Sequence, residues 1–146
     1  MTEPRYLLDV NVLLALSDCD HVSHPLASGW FARIGNARFQ LCAITESGFV
    51  RLASSPLLGN RNVPDAMALL RQLGEFPNCG YLPIQRPWLQ LVAPFASRLH
   101  GYRQVTDALL LGLAIESGAI LVTLDRRIEA LAGSEFRENL LVLGYA

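Results

Sequence analysis

Tyr6-Leu7-Leu8-Asp9-Val10-Asn11-Val12-Leu13-Leu14-Ala15-Leu16 is the stretch on which the reading of this chain turns. Arg5 to Leu8 has the length and character of a short strand buried in a parallel sheet. After Asp9 the apolar residues take helical spacing, from Val10 to Leu16. Asp9 therefore stands where a buried strand stops and a helix begins. A carboxylate in so apolar a setting is costly unless hydrogen bonds or a cation compensate it. Taken alone, Asp9 reads equally well as a helix cap and as a ligand at the carboxyl end of a strand.

Working outward, strands and helices alternate. Further strands are expected at Phe39 to Ala43, Tyr81 to Ile84, Ala119 to Thr123 and Leu140 to Leu143. Between them lie a helix from Pro25 to Ile34 ended by Gly35-Asn36, and another from Thr45 to Ala53. A third opens at Val63-Pro64-Asp65 with Ala66, Leu69, Leu70 and Leu73 as its apolar stripe. Arg86-Pro87 opens a helix carrying Trp88, Leu91, Val92, Phe95 and Leu99, and Thr106 is placed to cap a helix from Asp107 to Ser117. A short helix from Arg126 to Leu131 precedes the last strand. This alternation predicts the α/β class: a three-layer α/β/α sandwich with a mainly parallel central sheet, in a single domain over residues 1–146.

Composition narrows the function. The chain is 51% apolar with a net charge of −1, which excludes a disordered chain and a strongly basic protein that coats nucleic acid. No apolar run approaches the ~18 residues of a membrane span. Met1-Thr2-Glu3-Pro4 shows no basic segment leading into an apolar one, so a cytoplasmic location is expected. Three cysteines, Cys19, Cys42 and Cys79, fit structural thiols in a reducing compartment. All 12 basic residues are arginine, and the absence of lysine excludes P-loop, Schiff-base and receiver-domain lysine chemistry.

Three further acids stand in settings like that of Asp9. Glu46 lies in the first turn of a helix, between Ile44 and Phe49. Asp107 opens a helix that is apolar nearly all round, Ala108-Leu109-Leu110-Leu111-Gly112-Leu113-Ala114, and so is buried. Asp125 ends the strand Ile120-Leu121-Val122-Thr123-Leu124, with Thr123 on its side of the chain. Each alone reads as a cap or a residue favoured by the helix dipole. Jointly, two acids at strand ends and two at helix starts meet at one edge of a parallel sheet. Unpaired carboxylates at close range repel. A divalent cation resolves that repulsion, and an oxygen-only ligand set suits Mg2+ or Mn2+ rather than zinc. Such ions serve phosphodiester hydrolysis. By contrast, Asp18, Asp20, His21 and His24 read as turn and cap residues of a polar loop.

Leu7-Leu8-Asp9-Val10-Asn11, Ile44-Thr45-Glu46, Val105-Thr106-Asp107-Ala108 and Leu121-Val122-Thr123-Leu124-Asp125-Arg126 together resemble the four acidic motifs of PIN-domain ribonucleases, most closely the VapC toxins of toxin–antitoxin systems. Phe49 to Pro56 and Ala66 to Leu73 are also similar to segments of that family, so the resemblance spans essentially the whole chain. It implies a metal-dependent endoribonuclease, a hydrolase of phosphodiester bonds acting on transfer or ribosomal RNA. It also implies a homodimer held inactive by a VapB-like antitoxin. Asp9, Glu46, Asp107 and Asp125 would hold Mg2+ or Mn2+, and a water activated there would attack the phosphodiester. Asn11 and Thr123 match polar positions beside the acids, suited to orienting ligands or water. The resemblance places the antitoxin against the helix from Pro25 to Ile34 and the helix after Thr45. After the fourth acid the family pattern is Asp-x-Asp-Phe, whereas this chain has Asp125-Arg126-Arg127-Ile128. That puts Arg126 and Arg127, as candidate phosphate contacts, where the family carries a further acid. Two rivals remain: a catalytically silent PIN-fold module that binds RNA or protein, and an aspartyl-nucleophile phosphatase with Asp9 attacking. The second uses an aspartate where Asn11 stands and a lysine this chain lacks.

Overall fold

In the computed structural model, which describes residues 3–144, five short strands form one sheet in the order β3-β2-β1-β4-β5, all parallel. They are β1 (Arg5–Leu8), β2 (Arg38–Leu41), β3 (Cys79–Tyr81), β4 (Ile120–Thr123) and β5 (Leu140–Val142). The helices are α1 (Val10–Ser17), α2 (His24–Ile34), α3 (Ala43–Ala53), α4 (Val63–Gly74), α5 (Trp88–Val92), α6 (Val105–Ser117) and α7 (Glu129–Ala132). Met1 and Thr2 lie outside the described residues. No helix among those described is long and apolar enough to cross a membrane.

The three layers follow from the alternation of side chains along the central strands. Leu7 pairs with Leu121 in register, and Leu8 with Val122. Leu7 and Leu121 face a core built with Leu91, Phe95, Leu110, Leu111 and Leu131, from the side of α5, α6 and α7. Leu8 and Val122 face the opposite core, with Val12, Trp30, Phe39, Phe49 and Ala66 from α1 to α4. Every strand residue of the centre is thus needed by one face or the other, which is why these strands read as unbroken apolar runs. Trp30 meets Tyr6 edge to face at 5.3 Å, and Phe31 meets Phe39 at 5.1 Å, so α2 is held to the sheet by aromatic packing.

Several elements depart from the expected bounds. The second strand is Arg38–Leu41 rather than Phe39 to Ala43, and the helix after it opens at Ala43 rather than Thr45, with Cys42 at its cap position. The third strand lies at Cys79–Tyr81 rather than Tyr81 to Ile84. Leu82 still donates its amide to the Leu41 carbonyl at 2.8 Å, but β2 ends at Leu41, which leaves Pro83 and Ile84 no partner strand to pair with. The helix expected through Leu99 stops at Val92. Pro94 cannot join the α-helical ladder, so Ala93–Arg98 tightens into a 3-10 turn with a break at Phe95 (φ −132°), although Phe95 stays buried. Thr106 does not cap α6. The helix begins at Val105, continuing a 3-10 turn at Tyr102–Gln104. There the Gln104 side chain accepts from the amides of His100 (2.9 Å) and Gly101 (3.1 Å), and Trp88 donates its indole N–H to the Val105 carbonyl.

α6 is seated by a close approach. A Cβ on Gly112 would lie 2.4 Å from the Leu91 carbonyl oxygen, so only glycine lets α5 and α6 meet at this separation. Gly112→Ala is therefore expected to lower stability by about 1–3 kcal/mol through overpacking, even though alanine is the better helix former. Urea unfolding measures this, and an unchanged midpoint would show that α5 slides aside freely.

Candidate active site

β1 and β4 are adjacent, yet the chain leaves them in opposite directions across the sheet, so their carboxyl ends frame the crevice where open α/β sheets place ligands. Asp9 leaves β1 there. Its amide donates to the Val122 carbonyl at 2.9 Å, which ties the end of β1 to β4. Its carboxylate is buried, with 6% exposure, and caps α1: Oδ1 accepts from the Val10 amide at 2.7 Å. Oδ2 accepts from the Thr123 hydroxyl at 2.8 Å. The cap reading and the ligand reading of Asp9 are thus compatible, since the cap uses one side of one oxygen.

Thr123 is the hub of this edge. Its fully buried hydroxyl donates to Asp9 and accepts from Asn11 Nδ2 at 3.1 Å and from the Asp125 amide at 3.0 Å. Asn11 in turn accepts the Leu124 amide on Oδ1 at 3.1 Å. Asn11 therefore orients Thr123 and the backbone leading to Asp125, and Thr123 orients Asp9.

Asp107 lies in the first turn of α6 and is half-buried. Burial pushes its carboxyl up to about 6, helped by the negative charges of Asp9 and Asp125 and opposed by Arg127. Asp9 is likewise raised, chiefly by burial, with its two hydrogen bonds acting against the shift and the charge of Asp125 adding to it. Asp125 behaves oppositely. Its hydrogen bonds with Arg127 hold it below the usual carboxylate range. These mutual effects place the three aspartates within electrostatic range of one another.

Glu46 sits in the first turn of α3, at the carboxyl end of β2. That turn is locked by buried Thr45, whose hydroxyl accepts from the Cys42 amide and donates to the Cys42 carbonyl, each at 3.0 Å. α3 lies close on α1: a Cβ on Gly48 would meet Val10 Cγ2 at 2.7 Å. The charge of Glu46 nevertheless acts on Cys79 and Tyr81, toward β3. Glu46 thus shares the edge with the aspartates but faces its β3 side. Among the described residues no three of the four acids bring carboxylate oxygens within 4.8 Å of one another. The only such triad is Asp18, Cys19 and Asp20 in an exposed turn, where Asp18 accepts the Asp20 amide.

Of the two arginines, Arg126 pairs with Glu129 at 3.6 Å along the helix. Arg127 turns back onto Asp125, with its Nε 3.0 Å from Oδ1 and a terminal nitrogen 2.8 Å from Oδ2, while its amide also donates to Oδ1 at 2.9 Å. This clamp was not foreseen from the sequence. The Asp-x-Arg spacing at a strand end was its one available sign.

The donor set at this edge is carboxylate, hydroxyl and amide oxygen with no imidazole or thiolate among the aspartates, which fits a hard divalent cation. A family model for the PIN domain matches residues 6–134. The chain is 40% identical over 130 residues to ribonuclease VapC44 of Mycobacterium tuberculosis, covering 85% of this chain and 88% of that protein. It is 37% identical over 128 residues to ribonuclease VapC38 of the same organism, covering 86% and 89%.

This chain belongs to the VapC family of PIN-domain ribonucleases.

Two solved structures share its fold. One is VapBC2 of Rickettsia felis bound to a promoter DNA fragment, with TM-score 0.67, 12% identity and coverage of 95% and 98%. The other is VapC20 of Mycobacterium tuberculosis, titled a sarcin–ricin loop cleaving toxin, with TM-score 0.66, 11% identity and coverage of 88% and 95%. The parallel five-stranded sandwich expected from the sequence is the architecture of these VapC proteins.

The raised carboxyl of Asp107 has a consequence for stability. Between about pH 4 and pH 6 the folded protein holds a proton on Asp107 that the unfolded chain has released. Stability from this group therefore falls as pH rises through that window. In chelator at pH 7.5, Asp107→Asn is expected to stabilise the protein by about 1 kcal/mol, a figure discounted for the partial exposure of the group. The advantage should vanish near pH 4. Thermal melts at the two pH values check this, and destabilisation at pH 7.5 would contradict it.

Proposed function

We propose that this protein is a metal-dependent endoribonuclease, the toxin of a toxin–antitoxin pair, acting at the edge defined by Asp9, Asp107, Asp125 and Glu46. The observation that carries the reading is the electrostatic coupling of Asp9, Asp107 and Asp125 at the carboxyl ends of β1 and β4, where the buried Thr123 hydroxyl donates to the Asp9 carboxylate and accepts the Asp125 amide. A fold that gathers negative charge in this way favours a cation there. The cation, Mg2+ or Mn2+, would be held by Asp9, Asp107 and Asp125, with Glu46 closing in from α3. When bound it would supply Lewis-acid polarisation of the phosphoryl group and activation of water.

The chain's own residues do the remaining work. Thr123 fixes the Asp9 carboxylate while leaving each of its oxygens a further acceptor position, and Asn11 fixes Thr123. Arg126 and Arg127 are exposed beside Asp125, and contact of their guanidinium groups with RNA phosphates is part of the proposal. Single-stranded or looped RNA reaches such an edge most easily, and loops of transfer or ribosomal RNA are the proposed substrates. The phosphatase rival is disfavoured, since Asn11 spends both ends of its amide on Thr123 and Leu124 and no lysine exists to assist. A silent binding module is disfavoured because all four acids are retained.

Kinship with VapC proteins supports a VapB-like antitoxin as partner, and a homodimer is proposed as the working unit. An apolar cleft of about 170 Å³ lies between α1, α3 and α4, lined by Leu13, Leu16, Phe49, Leu69, Leu73 and Phe76. The antitoxin's apolar side chains are proposed to enter there. α3, one of the two helices expected to meet the antitoxin, lines this cleft, and α2 remains the other expected contact.

The test is cleavage of total RNA by the protein freed of antitoxin, with its mass measured by light scattering. Cleavage is expected with Mg2+ or Mn2+, is abolished by EDTA, and is suppressed when the antitoxin is restored. Asp9→Asn and Asp107→Asn are expected to lose about a thousandfold or more in rate while keeping native circular dichroism. Full metal-dependent cleavage by folded Asp107→Asn would overturn the assignment.

A further inference from the structure

The clamp between Arg127 and Asp125 bears directly on how the proposed site would take its cation. A carboxylate offers roughly four acceptor positions. On Asp125 these face the Arg127 amide, Nε and a terminal guanidinium nitrogen, with Nε also 3.3 Å from Oδ2. Both oxygens are therefore committed to one residue two positions further on. Asp9 differs, since each of its oxygens accepts a single hydrogen bond. Asp125 cannot ligate a cation fully while the guanidinium stays. The guanidinium can leave without disturbing the core, because the Arg127 side chain is 77% exposed. The amide bond to Oδ1 caps the following turn and would survive its departure.

We propose that Arg127 is a built-in counter-ion that competes with the divalent cation for Asp125, so that loading the site exchanges the guanidinium for the metal and frees Arg127 toward the RNA backbone. This rests on the metal-dependent reading above and adds a residue that sets the affinity of the site. The direct partner of the exchange is electrostatic. A guanidinium neutralises part of the charge that Asp9, Asp107 and Asp125 assemble, and it also repels an arriving divalent ion. Arginine suits the role because its planar fork matches a carboxylate in one position and a phosphate in the other.

The experiment is Mn2+ binding to chelator-stripped, antitoxin-free protein, by calorimetry and by the electron paramagnetic resonance of free Mn2+, for wild type, Arg127→Gln and Arg127→Lys. The exposed position of Arg127 lets all three fold, which thermal melts verify. Arg127→Gln is expected to bind Mn2+ about three- to tenfold more tightly, the scale of an exposed ion pair and one neighbouring charge. Arg127→Lys, which keeps the charge and loses the fork, should fall between. In wild type, the Arg127 Nε–H resonance should shift as Mg2+ saturates the site. Equal affinities in all three proteins, or an unmoved Arg127 resonance at saturation, overturn the proposal while leaving the metal site intact. Absence of Mn2+ binding in wild type and in Arg127→Gln alike overturns the metal reading and this inference with it.

Discussion

Asp9, Asp107 and Asp125 are brought to one sheet edge by backbone that has nowhere else to put them, and their mutual repulsion is the constraint to which the surrounding residues answer. Asp9 follows a strand whose Tyr6, Leu7 and Leu8 side chains are claimed by the two cores. Asp107 lies in the first turn of α6, half-buried where the helix enters the core at Ala108. Asp125 follows a strand paired to β1 on one side and β5 on the other. The fold compensates each in a different way. Thr123 and the start of α1 stabilise Asp9, Arg127 stabilises Asp125, and Asp107 is left to hold its proton more tightly.

That division separates what stabilises the protein from what it is for. The two cores on either face of the sheet meet through Leu7, Leu8, Leu121 and Val122 and hold the edge rigid. The edge itself carries strain that a purely structural protein would have relieved by neutral residues. Charge is retained there against its own cost, at the carboxyl ends of parallel strands, which is where the proposed cation and RNA phosphate would meet.

Much of this was legible in the amino acids. The first strand was placed at Arg5 to Leu8, and the four acids were identified, because strand-end and helix-start positions follow from hydrophobic spacing alone. The end of β2 at Leu41 and the missing amide of Pro94 set the bounds of β3 and α5, through hydrogen-bond ladders that the pattern of apolar residues does not report. Thr106 looked like a cap by type, but the turn before α6 is organised by the side chain of Gln104, reaching back over three residues. Asn11 and Thr123 were singled out as neighbours of the acids, while the direction of their bonds required the paired strands. The orientation of Glu46 toward β3 and the return of Arg127 onto Asp125 depend on side-chain direction, which sequence spacing leaves open.

Anomalous diffraction from crystals of the antitoxin-free protein soaked in Mn2+ tests the central claim most directly. The account predicts a peak about 2.1 Å from carboxylate oxygens of Asp9 and Asp107, with Asp125 turned toward it. A peak confined to the Asp18–Cys19–Asp20 turn, or none at the carboxyl ends of β1 and β4, would contradict it.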